Sequence, residues 1–485
     1  MTFSDTAPEA AIEAALNAIL ARQRAAHLRH GALSAAQRVE WLDRCIGLLV
    51  DHRRAIEDAL DADFGARSRH ATAFGDIAAS LGPLKHARQN VARWMRTERR
   101  ATTPRLLGFL GGKAEIRWQP KGVVGVISPW NFPVNLTFAP LAGVLAAGNR
   151  AMIKPSEATP VTSELLKAMF AKAFTEDEIA VVTGGPAVGQ AFARLAFDHL
   201  LFTGGTGIGR HVMRAAAENL VPVTLELGGK SPVLLGRSAD LPVAAARILN
   251  GKTFNAGQIC LAPDYVLAPA DQIAGFVGEA KSAVGRMFPT LRDNPDYTAI
   301  VSDRHYARLT GLIDDARAKG AEIVEINPAN EDLRQQPHRR LPPTLVLNPT
   351  DDMKIMQEEI FGPLLPVRAY QSIDEAIDYV NARPRPLGLY YFGSDDGERD
   401  KVVNGTTSGG VTVNDVVMHV AQEELPFGGI GPAGMGAYHG HDGFREFSHR
   451  KAVYHQMKRD IAPLRMLRPP FRGGIAKILA MQIRR

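Results

Sequence analysis

Short apolar runs alternate with longer stretches, whose apolar residues recur three and four apart, through the first half of this chain. Residues 123–127, 151–154, 180–183, 199–203 and 221–227 read as strands with helical runs between them, since side chains repeat every two positions in a strand and every 3.6 in a helix. Strands that alternate with helices predict a parallel sheet with crossover helices. The run from about Asn135 to Ala147 is apolar nearly all round, so the helix it forms should be buried. Upstream, Ile12, Leu16, Ile19 and Leu20 fall at helical spacing within residues 9–29. Ser34 caps a second predicted helix through Val39, Leu42, Ile46 and Leu49, continuing toward Ile56 and Leu60, with Trp41 and Cys45 among its packing residues. The basic run Arg96-Thr97-Glu98-Arg99-Arg100 reads as a solvated connector. A second alternating region extends from about Gly228 to Thr412, and its polar, Pro-containing stretch from Asp332 to Pro343 reads as a surface loop. There is no internal repeat and no low-complexity linker.

Three segments on this framework carry chemistry. Phe254-Asn255-Ala256-Gly257-Gln258-Ile259-Cys260-Leu261-Ala262-Pro263 holds one of only two cysteines in 485 residues, after a glycine that can bend the backbone. A lone cysteine is usually a small buried hydrophobe, and its partners decide whether it is a nucleophile. In the strand ending at Leu227, Val223, Leu225 and Leu227 point one way while Thr224 and Glu226 point the other. Pro129-Trp130-Asn131-Phe132-Pro133 fixes an amide between two prolines directly after an apolar strand. A thiol, a carboxylate base and a fixed amide donor are what acyl chemistry through a thioester requires.

Other groups are more ambiguous. Lys154 and Glu157 end the second strand, where ligands sit in an open parallel sheet, although a solvated turn would look the same. The turn Phe202-Thr203-Gly204-Gly205-Thr206-Gly207-Ile208-Gly209 departs from the G-x-G-x-x-G spacing, so a simple tight turn competes with a phosphate site. It does open a helix, whose free N–H groups favour anions. His439-Gly440-His441-Asp442 invites a metal reading, but no further ligand cluster has metal spacing, and no metal is expected.

Together with Gln357-Glu358-Glu359-Ile360-Phe361-Gly362-Pro363 and Pro426-Phe427-Gly428-Gly429, these segments closely resemble the aldehyde dehydrogenase family, in the family's order, from about Ala114 to Tyr454. Ala262-Pro263-Asp264-Tyr265 and Gly434-Met435-Gly436-Ala437-Tyr438-His439-Gly440 are similar to its class-3 branch. The run from Val420 to Phe427 is similar to that branch's bacterial coniferyl aldehyde dehydrogenases. The resemblance implies an α/β chain with a Rossmann-like parallel-sheet NAD(P)-binding domain at 1–100 and 121–227. It implies an α/β catalytic domain at 228–412, bridging or oligomerisation segments at 101–120 and 413–455, and a homodimer; the residues alone mark 456–485 as a basic tail.

The reaction so implied is NAD(P)-dependent oxidation of an aldehyde to a carboxylate through a Cys260 thioester. Asn131 and the Cys260 backbone N–H would stabilise the oxyanion, and Glu226 would activate the hydrolytic water. Cofactor contacts fall to Trp130, Lys154, Glu157, Gly204, Gly205, Gly209, Glu359 and Phe361, with Lys154 on the adenosine ribose, Glu157 beside it and Glu359 on the nicotinamide ribose. Glu358 receives no role. The family often has Ser where this chain has Gly205, so one hydroxyl contact to phosphate is missing. NAD is the expected cofactor and NADP the alternative, because Glu157 repels a 2′-phosphate. The branch suggests an aromatic aldehyde such as coniferyl aldehyde, with medium- or long-chain aliphatic aldehydes as the alternative. Phe132, Ile259, Leu261, Met418 and Phe427 fit an apolar substrate path or the core equally well. A coenzyme-A-acylating enzyme would lack the base at Glu226, and a catalytically silent cofactor-binding protein would be expected to have lost Cys260, Asn131 or Glu226.

Composition narrows the setting. Hydrophobic residues make up 45% of the chain, ample for large cores. Cys45 and Cys260 lie in dissimilar surroundings, which argues against a disulfide framework. Met1-Thr2-Phe3-Ser4-Asp5 has no basic region followed by an apolar core, and no stretch approaches a spanning helix, so a soluble, cytoplasmic chain is expected. The net charge of +6 is concentrated in residues 458–485, where eight Lys/Arg face one acid, leaving the rest of the chain at −1. A near-neutral body with a basic tail is poor ground for nucleic-acid binding. Within the tail, Ile475, Ile478, Leu479 and Met481 fall near helical spacing among basic residues. Weak association with an anionic membrane surface is one expectation for this segment, and a helix packed on its own or a partner subunit, or a frayed terminus, is the other.

Overall fold

The computed structural model describes residues 1–4, 7–333, 336–471 and 474–483, with the backbone alone for Pro463 and Ile478. Two compact units emerge, one from Met1–Trp94 and Pro120–Ser448, the other from Met95–Gln119 and His449–Arg485.

The first unit is α/β, as its alternating pattern requires, and holds two sheets. One runs in the order Gly434–Met435, Val223–Leu227, His199–Gly204, Val123–Ile127, Arg150–Lys154, Ile179–Val181. Its five longer strands are parallel, and Gly434–Met435 adds an antiparallel edge with Gly434 opposite Glu226. The last parallel strand begins at Val223 rather than 221, because Pro222 has no N–H to give the ladder. The chain enters this sheet at its centre, builds outward to Ile179–Val181, and crosses back to His199–Gly204. The strand order therefore reverses between Val123–Ile127 and His199–Gly204, and the carboxyl ends of those neighbours flank a crevice. Helix Asn135–Ala146, apolar on all sides, is buried along its length after Asn135.

The other sheet runs Glu322–Glu325, Thr344–Leu347, Leu364–Tyr370, Tyr265–Pro269, Pro232–Leu235, Gly388–Phe392, Gly410–Val413. All neighbours but the first pair are parallel. Strands buried on both faces leave two apolar clusters, one containing Leu234, Leu267 and Leu389, the other Val233, Val266 and Tyr390.

The N-terminal helices are Glu9–His30, Ala35–Asp51 and Arg53–Phe64. Ser34 caps the second through a complete capping box with Gln37. The pattern toward Leu60 is broken at His52, so the expected single helix is two. Trp41 and Cys45 are buried, and both cysteines carry free thiols.

Two expectations are corrected. The basic run is no connector: Glu98–Arg100 pairs antiparallel with Lys113–Pro120 in the second unit, whose third strand is Ser448–His455. An exposed edge strand is held by its backbone, so charged side chains hide it from a hydrophobic pattern. The stretch from Asp332 to Pro343 is also not simply surface loop. Arg340 is buried there, donating to the carbonyls of Leu291 at 3.0 Å and Asn294 at 2.8 Å, and Leu341 is buried beside it. Arg334 and Gln335 of this stretch lie outside the described residues.

In the tail, helices Ala462–Arg465 and Ile475–Gln482 leave Leu467, Phe471, Leu479, Met481 and Ile483 exposed. Its Arg472, Arg484 and Arg485 lie outside the described residues. Among the described residues no helix is long and apolar enough to cross a membrane.

Candidate active site

A cleft of about 1290 Å³ opens at the carboxyl ends of the six-stranded sheet, over the point where strand order reverses. Ten of the eleven site residues read from the sequence line it. Gly209 is the one that does not. A β-carbon there would come within 2.6 Å of the Leu227 side chain, so Gly209 lets helix Thr206–Ala217 pack closely on strand Val223–Leu227. Gly205 and Gly207 differ, since a β-carbon at either would meet nothing within 4 Å. They stand on either side of Thr206, the first residue of that helix, where free N–H groups favour an anion. Lys154 is buried at the end of its strand and ion-paired with the exposed Glu157.

Cys260 is presented by a strained loop. After helix Leu241–Thr253, Asn255, Ala256 and Gly257 are consecutively left-handed, with φ of 51°, 52° and 73°. Two non-glycine residues in that region cost of order 1–3 kcal/mol each and persist only when surroundings hold them. Amides do so here. Gln258 Nε2 donates to the Asn255 and Ala299 carbonyls at 2.9 and 3.1 Å, while its Oε1 accepts from Val301 N–H at 3.0 Å. Asn255 Nδ2 reaches the Gln258 and Asn131 carbonyls at 3.2 and 3.1 Å. The Gly257 α-carbon faces the Gly362 carbonyl so closely that a β-carbon would lie 2.3 Å from its oxygen.

Asn131 is buried and tied to the same loop, its Nδ2 donating to the Gln258 carbonyl at 3.1 Å. That bond uses one of its two amide hydrogens. Glu226 is 1% exposed, and its oxygens have no hydrogen-bond partner among the described residues other than the neighbouring Cys260 thiol. Burial pushes its carboxyl up to about 8, opposed only by the neighbouring Cys260 thiol. Burial and the Glu226 and Glu359 carboxylates push the half-buried Cys260 thiol up in turn. Each group thus lies beside a partner able to exchange a proton with it.

Glu359 follows the short helix Lys354–Gln357 and accepts from Gly229 N–H, while its Oε1 is buried without a partner. Burial, with Asp264 nearby, raises it to about 8. A β-carbon at Gly228 would lie 2.0 Å from Glu359 Oε2. Trp130 packs its edge against Phe361 at 5.3 Å and His305 at 4.9 Å. A dinucleotide fits this donor set, which supplies a helix N-terminus opened by Gly205 and Gly207 for pyrophosphate, a buried lysine at a strand end and an orphaned carboxylate oxygen for a ribose hydroxyl.

Sequence reasoning missed the groups that hold these side chains. Lys230 pairs with Asp264 and donates to the carbonyls of Ile355 at 2.7 Å and Glu358 at 3.0 Å. Asp264 also accepts from Ile360 N–H at 2.9 Å. This clamp ties the segments after Glu226 and Cys260 to the one bearing Glu359. Asp264 stands inside a motif quoted above, yet its pairing with Lys230 spans 34 positions and leaves no local signal. In the His439–Asp442 stretch, His439 stacks on Phe427 and His441 on Trp94. No group of metal-holding side chains occurs among the described residues.

The aldehyde dehydrogenase family pattern matches residues 4–453. The chain belongs to the aldehyde dehydrogenase family. It is 68% identical to a Caulobacter vibrioides protein named "Probable coniferyl aldehyde dehydrogenase", over 98% of each chain. Staphylococcus aureus AldH, solved in a substrate-bound state, is similar with a TM-score of 0.89 and 37% identity, covering 96% of this chain and 99% of its own. A P. syringae indole-3-acetaldehyde dehydrogenase variant, solved with NAD+ and IAA, gives a TM-score of 0.83 at 25% identity over 92% of this chain and 88% of its own. This aldehyde dehydrogenase is accordingly an oxidoreductase that acts on aldehydes with a nicotinamide cofactor, and the α/β architecture read from its sequence is that of its relatives.

Proposed function

We propose that Cys260 is the nucleophile of this dehydrogenase, Glu226 its general base and Asn131, with the Cys260 backbone N–H, its oxyanion donor. The observation that carries this reading is the buried Glu226 carboxyl, whose one hydrogen-bonding neighbour among the described residues is the Cys260 thiol. A base near neutrality is best placed to give and take protons at working pH. Cys260 reacts as its thiolate: the sulfur bonds to the aldehyde carbon, and the carbonyl π pair moves to the oxygen, which becomes an alkoxide facing the remaining N–H of Asn131. When bound, the nicotinamide supplies the oxidant for that carbon. Glu226 then takes a proton from water, the water oxygen bonds to the acyl carbon, and the carbon–sulfur bond breaks to release the acid and restore Cys260.

Gly204 and Gly205 would bear the pyrophosphate, Lys154 and Glu157 the adenosine ribose and Glu359 the nicotinamide ribose, with Trp130 and Phe361 beside it. Gly209 supports the helix packing behind that turn. The Glu157 carboxylate favours NAD over NADP by repelling a 2′-phosphate. The substrate is an aromatic aldehyde such as coniferyl aldehyde, on the strength of the similarity to the Caulobacter protein so named. The working unit is a homodimer in the cytoplasm. The tail associates weakly with anionic membrane surfaces, a reading supported by exposed Leu467, Phe471, Met481 and Ile483 among basic residues.

A spectrophotometric NADH assay with coniferyl aldehyde, acetaldehyde and a medium-chain aldehyde, with and without coenzyme A, tests the reading. A higher kcat/KM for coniferyl aldehyde and no need for coenzyme A are expected. A higher value for acetaldehyde would refute the substrate class, and coenzyme A dependence would refute hydrolysis by Glu226.

A further inference from the structure

Asn131 is held through its backbone by a buried ion pair that takes no part in the steps above. Arg67 and Asp76 meet at 2.6 Å, with side chains 1% and 0% exposed. Asp76 stands in the π-helical segment Ala73–Ala78, an uncommon widening that often marks a functional site. The Arg67 guanidinium gives Nη2 to Asp76, and its Nη1 donates to the Asn131 carbonyl at 2.8 Å. The second Asp76 oxygen accepts from the backbone N–H groups of Val134 and Asn135, both at 3.2 Å. One ion pair thus ends on three backbone groups of the turn that joins strand Val123–Ile127 to helix Asn135–Ala146.

The rings beside Asn131 lean on the same guanidinium. It lies 5.0 Å from the Phe132 ring centre and 4.4 Å from that of Phe64, whose ring in turn lies 6.3 Å from that of Trp130. The second donor to the Asn131 carbonyl, Asn255, belongs to the loop that carries Cys260. The turn is therefore pinned from two elements at one carbonyl, while its side-chain amide is pinned at Gln258.

A pair this deeply buried is poorly explained by stability. Burial acts against both charges, and well-packed hydrophobic residues often replace such pairs without loss. Apolar side chains cannot, however, donate to one carbonyl and accept from two N–H groups of a single turn. A transition-state donor is worth most when it is held in place before the charge develops.

We propose that Arg67 and Asp76 are positioning residues for Asn131, fixing the turn so that its remaining amide N–H stays directed at the developing oxyanion. The proposal rests on the reading of Asn131 as oxyanion donor. The test compares Arg67→Lys, Asp76→Asn and the apolar pair Arg67→Leu/Asp76→Leu, each with Asn131 intact and with Asn131→Ala. The readouts are the single-turnover rate of NADH formation per titrated thiol, the NAD dissociation constant and Tm.

With Asn131 present, each variant should slow the single turnover by roughly 10- to 100-fold, short of the roughly 10²–10³ for losing the donor itself. NAD affinity should hold within about twofold, because the adenosine and pyrophosphate contacts lie on other strands. In the Asn131→Ala background the same changes should cost less than about twofold, since residues acting through one group are not additive. The apolar pair should stay slow even where its Tm equals that of the wild type, which separates positioning from folding. Full multiplication of the Arg67 and Asn131 effects, or a wild-type rate in the apolar pair, would overturn the proposal while leaving Asn131 in its role. An unimpaired Asn131→Ala enzyme would overturn both.

Discussion

If Glu226 activates the hydrolytic water, the pH profile of acid release should report its ionisation. Its carboxyl is held up to about 8 by burial, so about a tenth of sites carry the base at pH 7 and about nine-tenths at pH 9. Hydrolysis-limited kcat should rise about tenfold over those two units, bend near pH 8 and level off. The assay is steady-state NADH production at saturating aldehyde, alongside the burst that precedes it. In Glu226→Gln the burst should persist at no more than one equivalent per site, the steady rate should fall by about 10²–10⁴-fold, and the bend should vanish. Glu359 is the necessary control, because burial also raises it to about 8; Glu359→Gln should keep the bend and weaken cofactor binding. A bend that survives in Glu226→Gln and disappears in Glu359→Gln would transfer the base to Glu359 and refute the assignment. Loss of burst and turnover together in Glu226→Gln would place Glu226 earlier, in activating Cys260.

The same ionisation bears on stability. A folded-state value above the ordinary 4.5 means that the native state holds the extra proton between pH 4.5 and about 8. Stability should therefore fall as pH rises through that window, by up to about 1.4 kcal/mol per unit from this group, and Tm against pH should be flatter in Glu226→Gln; an unchanged slope would deny the burial effect. Gly228→Ala sets a β-carbon 2.0 Å from Glu359 Oε2, so KM for NAD should rise at least tenfold while iodoacetamide still alkylates Cys260; an unaltered KM would remove Glu359 from the cofactor site. Glu157→Gln should narrow the preference for NAD over NADP, measured as a kcat/KM ratio, and a wild-type preference for NADP would refute the repulsion argument. A chain ending at Leu467 should keep its activity but sediment less with anionic vesicles at low salt, whereas equal sedimentation of both forms would remove the membrane role.

Periodicity was enough to locate the sheet and the buried helix Asn135–Ala146, since strands and helices buried on their expected faces follow local pattern. It also placed Glu226 on the face opposite Leu225 and Leu227, both of which enter the core. What escaped is non-local. Nothing in Arg67 or Asp76 announces a pairing beneath Asn131, and a π-helical turn has no sequence signature to match. Ala256 at φ 52° contradicts its own preference, and the amides of Asn255 and Gln258 are what hold it there. Glu98–Arg100 was hidden because its partner strand, not its side chains, makes it a strand. Gly209 looks like its neighbours in sequence, and only the closeness of Leu227 separates a packing glycine from the open ones at 205 and 207.

The claim on which the account turns is that an acyl group passes through the sulfur of Cys260. Glu226→Gln, mixed with NAD and an aromatic aldehyde and quenched in acid after the burst, should gain the mass of one acyl group. Peptide mapping should place it on the fragment containing Cys260, with Cys45, fully buried, unmodified. NADH formed in stoichiometric amounts with no acylated Cys260, or with the adduct elsewhere, would contradict the mechanism.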